Sequence, residues 1–330
     1  MVVAALVVTG CSDSEETPDV PTITPQTPIA APAADGSERP AGVVVPVPGA
    51  GTALAFCPST SQLALLSDDG RTILFYPTAG LAPGSAPART VTLPDRASGF
   101  GTFSGGKLQV LVADAMLTVD SADGAITTTD VPGTPLSSLL SSTGETFIGT
   151  EGGEILRVDA QGAVTGTIDG LVRADALAEH GGQVVVLDRA QSSVTELDLA
   201  DDDLGVAIRA GDGATNLTVD HFGRFLTTDT RGGELLAFNG DPLVNRFRYP
   251  VAFGPYAVDY DDTRDLLWVS TTGDNEVVAF DLADGEPTEV RRFASVVQPD
   301  RIVVDGSGTV YVLSARNGGL QVVPDDGRAE

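Results

Sequence analysis

Carboxylates are the most frequent side chains of this 330-residue sequence that could do chemistry. Asp114, Asp188 and Asp229 each close a short apolar run, and Glu151 stands close to the same place in a fourth run. Oxygen donors of this kind suit Ca²⁺ or Mg²⁺, and a metal held by them could support hydrolysis or elimination. Arg96, Arg173, Arg189, Arg231 and Arg316 fall in polar stretches beside such runs. A guanidinium fork there would take a carboxylate, a phosphate or a partner's acidic side chain, and it would equally pair with a neighbouring aspartate. The two histidines, His180 and His221, occupy matching turns and read as turn residues, and no serine stands in a GxSxG context. The two cysteines, Cys11 and Cys57, lack the spacing of a zinc site. Cys57 reads as a small residue in a turn, and no catalytic residue is assigned.

With 46 acidic and 19 basic residues the net charge is −27. A field of that sign repels phosphate backbones and anionic headgroups, which argues against nucleic-acid binding. Lys107 is the only lysine, so arginine carries nearly all the positive charge. That preference points to a genome of high G+C content, and an actinobacterial origin is expected.

The amino terminus has a different character. Val2 to Val8 are apolar and lead into Thr9, Gly10 and Cys11. Val8, Thr9, Gly10 and Cys11 resemble the bacterial lipobox, in which small side chains precede a cysteine that takes acyl chains after cleavage. Residues 1–11 are then the end of a signal peptide, with its basic region expected upstream, and Cys11 is the expected lipidation site. Several acyl chains make a stable anchor. Residues 12–41 follow with Pro18, Pro21, Pro25, Pro28, Pro32 and Pro40 among Thr, Ala and acidic residues. Such a segment cannot bury a core and reads as a disordered tether, partly polyproline II, at ~3 Å per residue. No other stretch approaches the ~18 apolar residues of a membrane span, so contact with the membrane is expected through the lipid alone, on the extracytoplasmic side.

What must position the carboxylates and arginines is a repeat. A short apolar strand, a polar turn, a longer apolar strand, a turn and a third strand recur from Ala53 onward. The clearest copy is AVDYDDTRDLLWVSTTGDNEVVAFDL from Ala257, with GEPTEVRRF as a fourth strand, followed by IVVDGSGTVYVLSARNGGLQVVP from Ile302. Further copies start at Ala53, Gly101, Leu139, Ala176 and Leu217. The seven starts lie roughly 37 to 48 residues apart, the spacing of a four-stranded propeller blade. The seventh copy lacks a fourth strand, whereas GVVVPVP from Gly42 is a strand with no blade of its own. Pairing the two would close the ring and remove a sticky edge.

These copies resemble the NHL and YVTN propeller repeats. Val258, Asp259, Trp268, Val269, Val277, Val278 and Asp281 fit that pattern, as do Val304, Asp305, Tyr311 and Val312. The expected fold is all-β: a seven-bladed propeller over residues 42–324, with residues 42–48 in the last blade and a tail at 325–330. The resemblance implies that Asp114, Asp188, Asp229 and the five arginines share the rim on which such rings bind ligands, and that sugar lactonases among related rings are metal enzymes. It leaves function open, because one ring serves lyases, lactonases, dehydrogenases and binding modules alike. The expected function is a monomeric cell-envelope lipoprotein whose propeller binds a protein or a cell-wall glycan, without a cofactor. The rival is a Ca²⁺- or Mg²⁺-dependent lactonase or lyase using Asp114, Glu151, Asp188 and Asp229.

Overall fold

A computed structural model describes residues 27–34, 39–47, 49–314, 316 and 319–325. Cys11 with its lipobox, the tether as far as residue 26 and residues 326–330 lie outside the described residues. All regular structure among the described residues is β, in seven four-stranded antiparallel sheets.

The chain starts with β1 (Val43–Pro46) and then builds the blades in order. Blade 1 is β2 (Ala50–Cys57), β3 (Gln62–Ser67), β4 (Thr72–Pro77) and β5 (Arg89–Thr92). Blade 2 is β6 (Ala97–Ser104), β7 (Lys107–Val112), β8 (Ala115–Asp120) and β9 (Ile126–Asp130). Blade 3 is β10 (Pro135–Leu140), β11 (Thr146–Thr150), β12 (Ile155–Val158) and β13 (Val164–Ile168). Blade 4 is β14 (Ala176–His180), β15 (Gln183–Asp188), β16 (Ser193–Asp198) and β17 (Asp203–Arg209). Blade 5 is β18 (Ala214–Val219), β19 (Phe225–Asp229), β20 (Glu234–Asn239) and β21 (Val244–Pro250). Blade 6 is β22 (Pro255–Asp261), β23 (Leu266–Thr271), β24 (Glu276–Asp281) and β25 (Thr288–Ala294). Blade 7 is β26 (Pro299–Val304), β27 (Val310–Ser314), β28 (Gly319–Val323) and, from the other end of the chain, β1. β1 pairs antiparallel with β28 from Val43 opposite Val322 to Pro46 opposite Gly319.

Burial explains the sequence pattern strand by strand. The second strand of each blade is covered on both faces by neighbouring blades, so QLALLS, QVVVLD and VYVLS are buried almost throughout. Fourth strands face solvent and stay largely exposed, as in DLGVAIR of β17. The apolar core is accordingly divided into seven clusters, one at each blade–blade interface. Trp268, buried as its mid-strand position suggests, packs in the cluster between blades 6 and 7.

First strands line the channel and neighbour one another around the ring, with β2 beside both β6 and β26. Most of them shift register near their start, as between Pro255 and Val258 or Pro299 and Arg301. Bulges of this kind raise local twist and bend the strand. Because the strands alternate in direction, the turns after second strands and the connections after fourth strands emerge together on one side of the ring. That side is called the loop face below.

Candidate binding face

The last residue of each second strand reaches the loop face: Ser67, Val112, Thr150, Asp188, Asp229, Thr271 and Ser314. Except for Val112 these are short polar side chains, and each ties its own turn. Thr72 N–H donates to Ser67 Oγ at 2.9 Å, Glu154 N–H to Thr150 Oγ1 at 3.1 Å, and Arg316 N–H to Ser314 Oγ at 3.2 Å. Asp188 and Asp229 do more, because a carboxylate accepts several donors at once. Asp188 is 1% exposed and accepts N–H groups of Val172 at 2.8 Å, Arg173 at 3.2 Å and Gln191 at 3.0 Å. Asp229 is fully buried and accepts those of Asp212 and Gly213 at 2.7 Å and Gly232 at 2.8 Å. Each carboxylate thus clips the connection entering its blade to the turn leaving its second strand.

The candidate metal ligands are therefore in different circumstances. Asp188 and Asp229 face backbone donors, the opposite of what a cation needs. Glu151 is exposed and pairs with Arg173 at 3.3 Å. Asp114 is exposed in the two-residue turn between β7 and β8, and Val112 takes the position equivalent to Asp188. Among the described residues, no three His, Cys, Asp or Glu side chains gather where they could hold a metal ion.

The arginines are distributed around the face. Arg96 and Arg316 are exposed, after β5 and β27 respectively. Arg173 reaches Asp175 at 3.0 Å as well as Glu151. Burial works against its charge, but these two carboxylates outweigh it and hold the guanidinium above its ordinary pKa. Arg231 pairs with Asp212 at 2.8 Å. Arg189 turns to the amino-terminal segment, where its Nη2 donates to the carbonyl of Pro28. Its Nε is buried without a hydrogen-bond partner among the described residues.

That segment, residues 27–34, is extended without regular structure and lies against the loop face. Pro28 is buried beside Gly213, where an added Cβ would come within 3.3 Å of the Pro28 Cβ. Ala31 sits on Gly254, a glycine at φ +68° whose Cβ would stand 2.6 Å from that of Ala31. Gln298, itself 3% exposed, donates its Nε2 to Ala31 O at 2.8 Å and accepts Ala33 N–H on Oε1 at 3.1 Å. The segment thus runs from Arg189 of blade 4 past blade 5 to Gln298 before blade 7. Sequence reasoning treated this stretch as free tether and passed over Gln298, Gly213 and Gly254. All three hold one position of the repeat, the residue just before a first strand, but Arg96 and Thr134 stand there in blades 2 and 3, so no shared residue type marks the position in the sequence.

On the opposite face, short polar residues close the turns between first and second strands. Asp220, Asp261 and Asp305 each accept the N–H two residues on, from Phe222 at 3.0 Å, Thr263 at 3.0 Å and Ser307 at 2.9 Å. Cys57 holds this place in blade 1, buried, with its Sγ 3.3 Å from Ser59 Oγ. Burial pushes the thiol up, but hydrogen bonds with Ser59 and Thr60 outweigh it and its pKa lies below the ordinary value. His221 lies in such a turn near Asp262 and Asp265, at 3.3 and 3.5 Å. His180 ends β14 and packs on Gly223 of the next blade. At the channel mouth on this face, Asp259, Asp261, Asp262 and Asp305 line a cavity of about 420 Å³. Asp259 accepts Val304 N–H at 2.8 Å. Burial, reinforced by the charges of Asp262 and Asp261, pushes its carboxyl up to about 7 against the pull of the Val304 and Tyr260 amides.

No protein-family profile matches this chain, and no curated protein does. Solved structures do. A chain of a mitotic checkpoint complex is similar with a TM-score of 0.75 at 12% identity, over 93% of this chain and 99% of that one. Hydrazine synthase of Kuenenia stuttgartiensis gives 0.72 at 14% identity, over 85% and 96%. Virginiamycin B lyase from Staphylococcus aureus gives 0.68 at 11% identity, over 86% and 98%. At such identities the likeness establishes the seven-bladed fold alone, and proteins with these different names share it.

Proposed function

We propose that this chain is a lipid-anchored protein of the bacterial envelope, actinobacterial in origin, whose propeller is a non-enzymatic binding module. Cys11 carries the acyl chains on the extracytoplasmic side, and a monomeric ring offers its loop face to a protein or cell-wall glycan. One observation carries the reading: the loop face already holds an extended chain, through the Arg189 and Gln298 side chains and a buried Pro28. The alternative, a Ca²⁺- or Mg²⁺-dependent lactonase or lyase, has no comparable support. Two of its four carboxylates are saturated by backbone donors, and Glu151 is paired with arginine.

The test has an anchoring arm and a capture arm. Expressed from its full upstream start, the protein should partition into detergent, and Cys11→Ala should release it or leave it unprocessed. After cross-linking in the envelope, Arg231→Glu with Arg316→Glu should recover several-fold less partner at an unchanged melting temperature. Both side chains are exposed, and the hydrogen bonds described for residues 27–34 come from Arg189 and Gln298, so reversing Arg231 and Arg316 alters the face while those bonds stay in place. An unchanged membrane fraction would sink the anchor, and undiminished capture would move the binding surface off this face.

A further inference from the structure

We propose that the loop face between blades 4 and 7 is a groove for an extended, proline- and alanine-rich segment of a partner protein, and that residues 27–34 fill it in cis as an internal competitor. This rests on the binding-module reading and names both the partner's chemistry and its regulation.

The groove addresses main chain rather than side chains. Arg189 donates to one carbonyl, and Gln298 takes the carbonyl of Ala31 and the N–H of Ala33, two residues apart on one edge of the segment. A neighbouring strand would make the same demands of an extended peptide. Pro28 and Pro32 have no N–H, so neither leaves a donor unsatisfied, and the proline rings hold the chain extended before it binds. Side-chain selection is confined to size. Gly213 and Gly254 make room for Pro28 and Ala31, and a larger residue opposite Gly254 would collide with it. Ile29, by contrast, is 78% exposed and contributes little to the seat.

The same features make the segment displaceable. Among the described residues it is held by a few side-chain hydrogen bonds and by the packing of Pro28, Ala30 and Ala31, with no regular pairing. Gln298 is buried and takes an unusual backbone, φ +56°, with its N–H fixed by Asn275 Oδ1 at 2.8 Å. It is therefore positioned by the ring and awaits a ligand on its amide, whichever chain supplies one. Residues 27–34 are joined to β1 by a short connection, and a tethered ligand acts at an effective concentration on the order of millimolar. A free peptide at micromolar concentration is excluded until the segment leaves.

The experiment uses the full chain and a fluorescein-labelled peptide of its own residues 27–34, Thr-Pro-Ile-Ala-Ala-Pro-Ala-Ala, read by anisotropy. Ala31→Arg sets a long side chain against the Gly254 turn, and Pro28→Glu places a charge in the buried proline site, so either ejects the segment without touching a blade. Each variant should bind the peptide at least tenfold more tightly than the unaltered chain, and adding Gln298→Ala should remove most of that gain. Equal binding by the unaltered chain and both variants, at any level including none, overturns the proposal. So does a gain that survives Gln298→Ala. If the peptide effect is missing while envelope capture still depends on Arg231 and Arg316, the groove falls and the binding module stands. If capture is independent of those arginines but the peptide effect is present, the converse holds.

Discussion

At the scale of single residues, Asp188 and Asp229 show why a carboxylate at a strand end is ambiguous in sequence. The same oxygens that would ligate Ca²⁺ accept backbone N–H groups, and the choice depends on connections well away along the chain: Val172 for Asp188, Asp212 for Asp229. Their place at the end of a second strand is legible from the repeat, whereas their partners are not. Asp114 was misplaced for a local reason. The turn after β7 has only two residues, so Val112 pairs with Ala115 and Asp114 falls outside the strand. If Asp229 is a clip, Asp229→Ala strips three backbone donors of their acceptor, that of Gly213 in a buried bond and those of Asp212 and Gly232 in part-buried ones, and a destabilisation of roughly 2 to 3 kcal/mol is expected in urea unfolding. In a high-salt buffer that already screens the net charge, adding Ca²⁺ or Mg²⁺ to the unaltered chain should leave its melting temperature where it was. A bound cation at a hundredfold excess over its dissociation constant would instead add about 2.7 kcal/mol, so a clear rise on adding Ca²⁺ would restore the metal reading.

At the scale of elements, the second and third strands were the easiest to read, because burial on both faces turns them into apolar runs such as QVVVLD. Fourth strands such as β17 and β21 are mostly exposed and give a weak pattern. First strands are blurred by the register shifts that let them line a channel. β1 was visible because it is apolar, with Val45 buried, and stands apart from any copy of the repeat. Val45 joins Tyr311 and Leu320 of blade 7 and Leu63 and Leu65 of blade 1 in one cluster, so this strand seals the junction as well as the edge. Removing residues 1–41 should therefore leave the ring folded. Removing residues 1–48 opens the outer edge of blade 7 and uncovers that cluster, and the melting temperature should fall by ~10 °C or more, with aggregation through the exposed strand. Equal melting of the two shortened chains would show that the ring does not depend on β1.

At the scale of the whole molecule, a net charge of −27 acts on a ring whose apolar core is divided among seven interfaces. Mutual repulsion opposes the compact state and is screened by salt, so the melting temperature should rise between 10 mM and 500 mM NaCl. Asp259 adds a dependence on pH that can be separated from this one. Its carboxyl is pushed up to about 7 by burial in the channel, with Asp261 and Asp262 nearby, from 3.8 in the unfolded chain. Between those values the folded state holds a proton that the unfolded state has lost. Stability therefore falls as pH rises from about 4 to 7 and is level with respect to this group above 7. The shift sets an upper bound of about 4 kcal/mol, and water at the channel mouth lowers it, so an effect of about 2 kcal/mol is expected. The acid side is limited by groups of opposite sign. Hydrogen bonds from Ser142 and Gly182 outweigh the burial of Glu179 and hold its carboxyl below the usual range, so the stability it contributes is lost as pH falls through that lowered value. The optimum should lie at about pH 4 to 5. Asp259→Asn cannot ionise, so that variant should melt higher than the unaltered chain at pH 8, nearly level between pH 5 and 8, and with the same response to salt. A melting temperature in the unaltered chain that does not change between pH 5 and 8, or an Asp259→Asn variant that keeps the full slope, would show that the channel carboxylate is not the group that titrates.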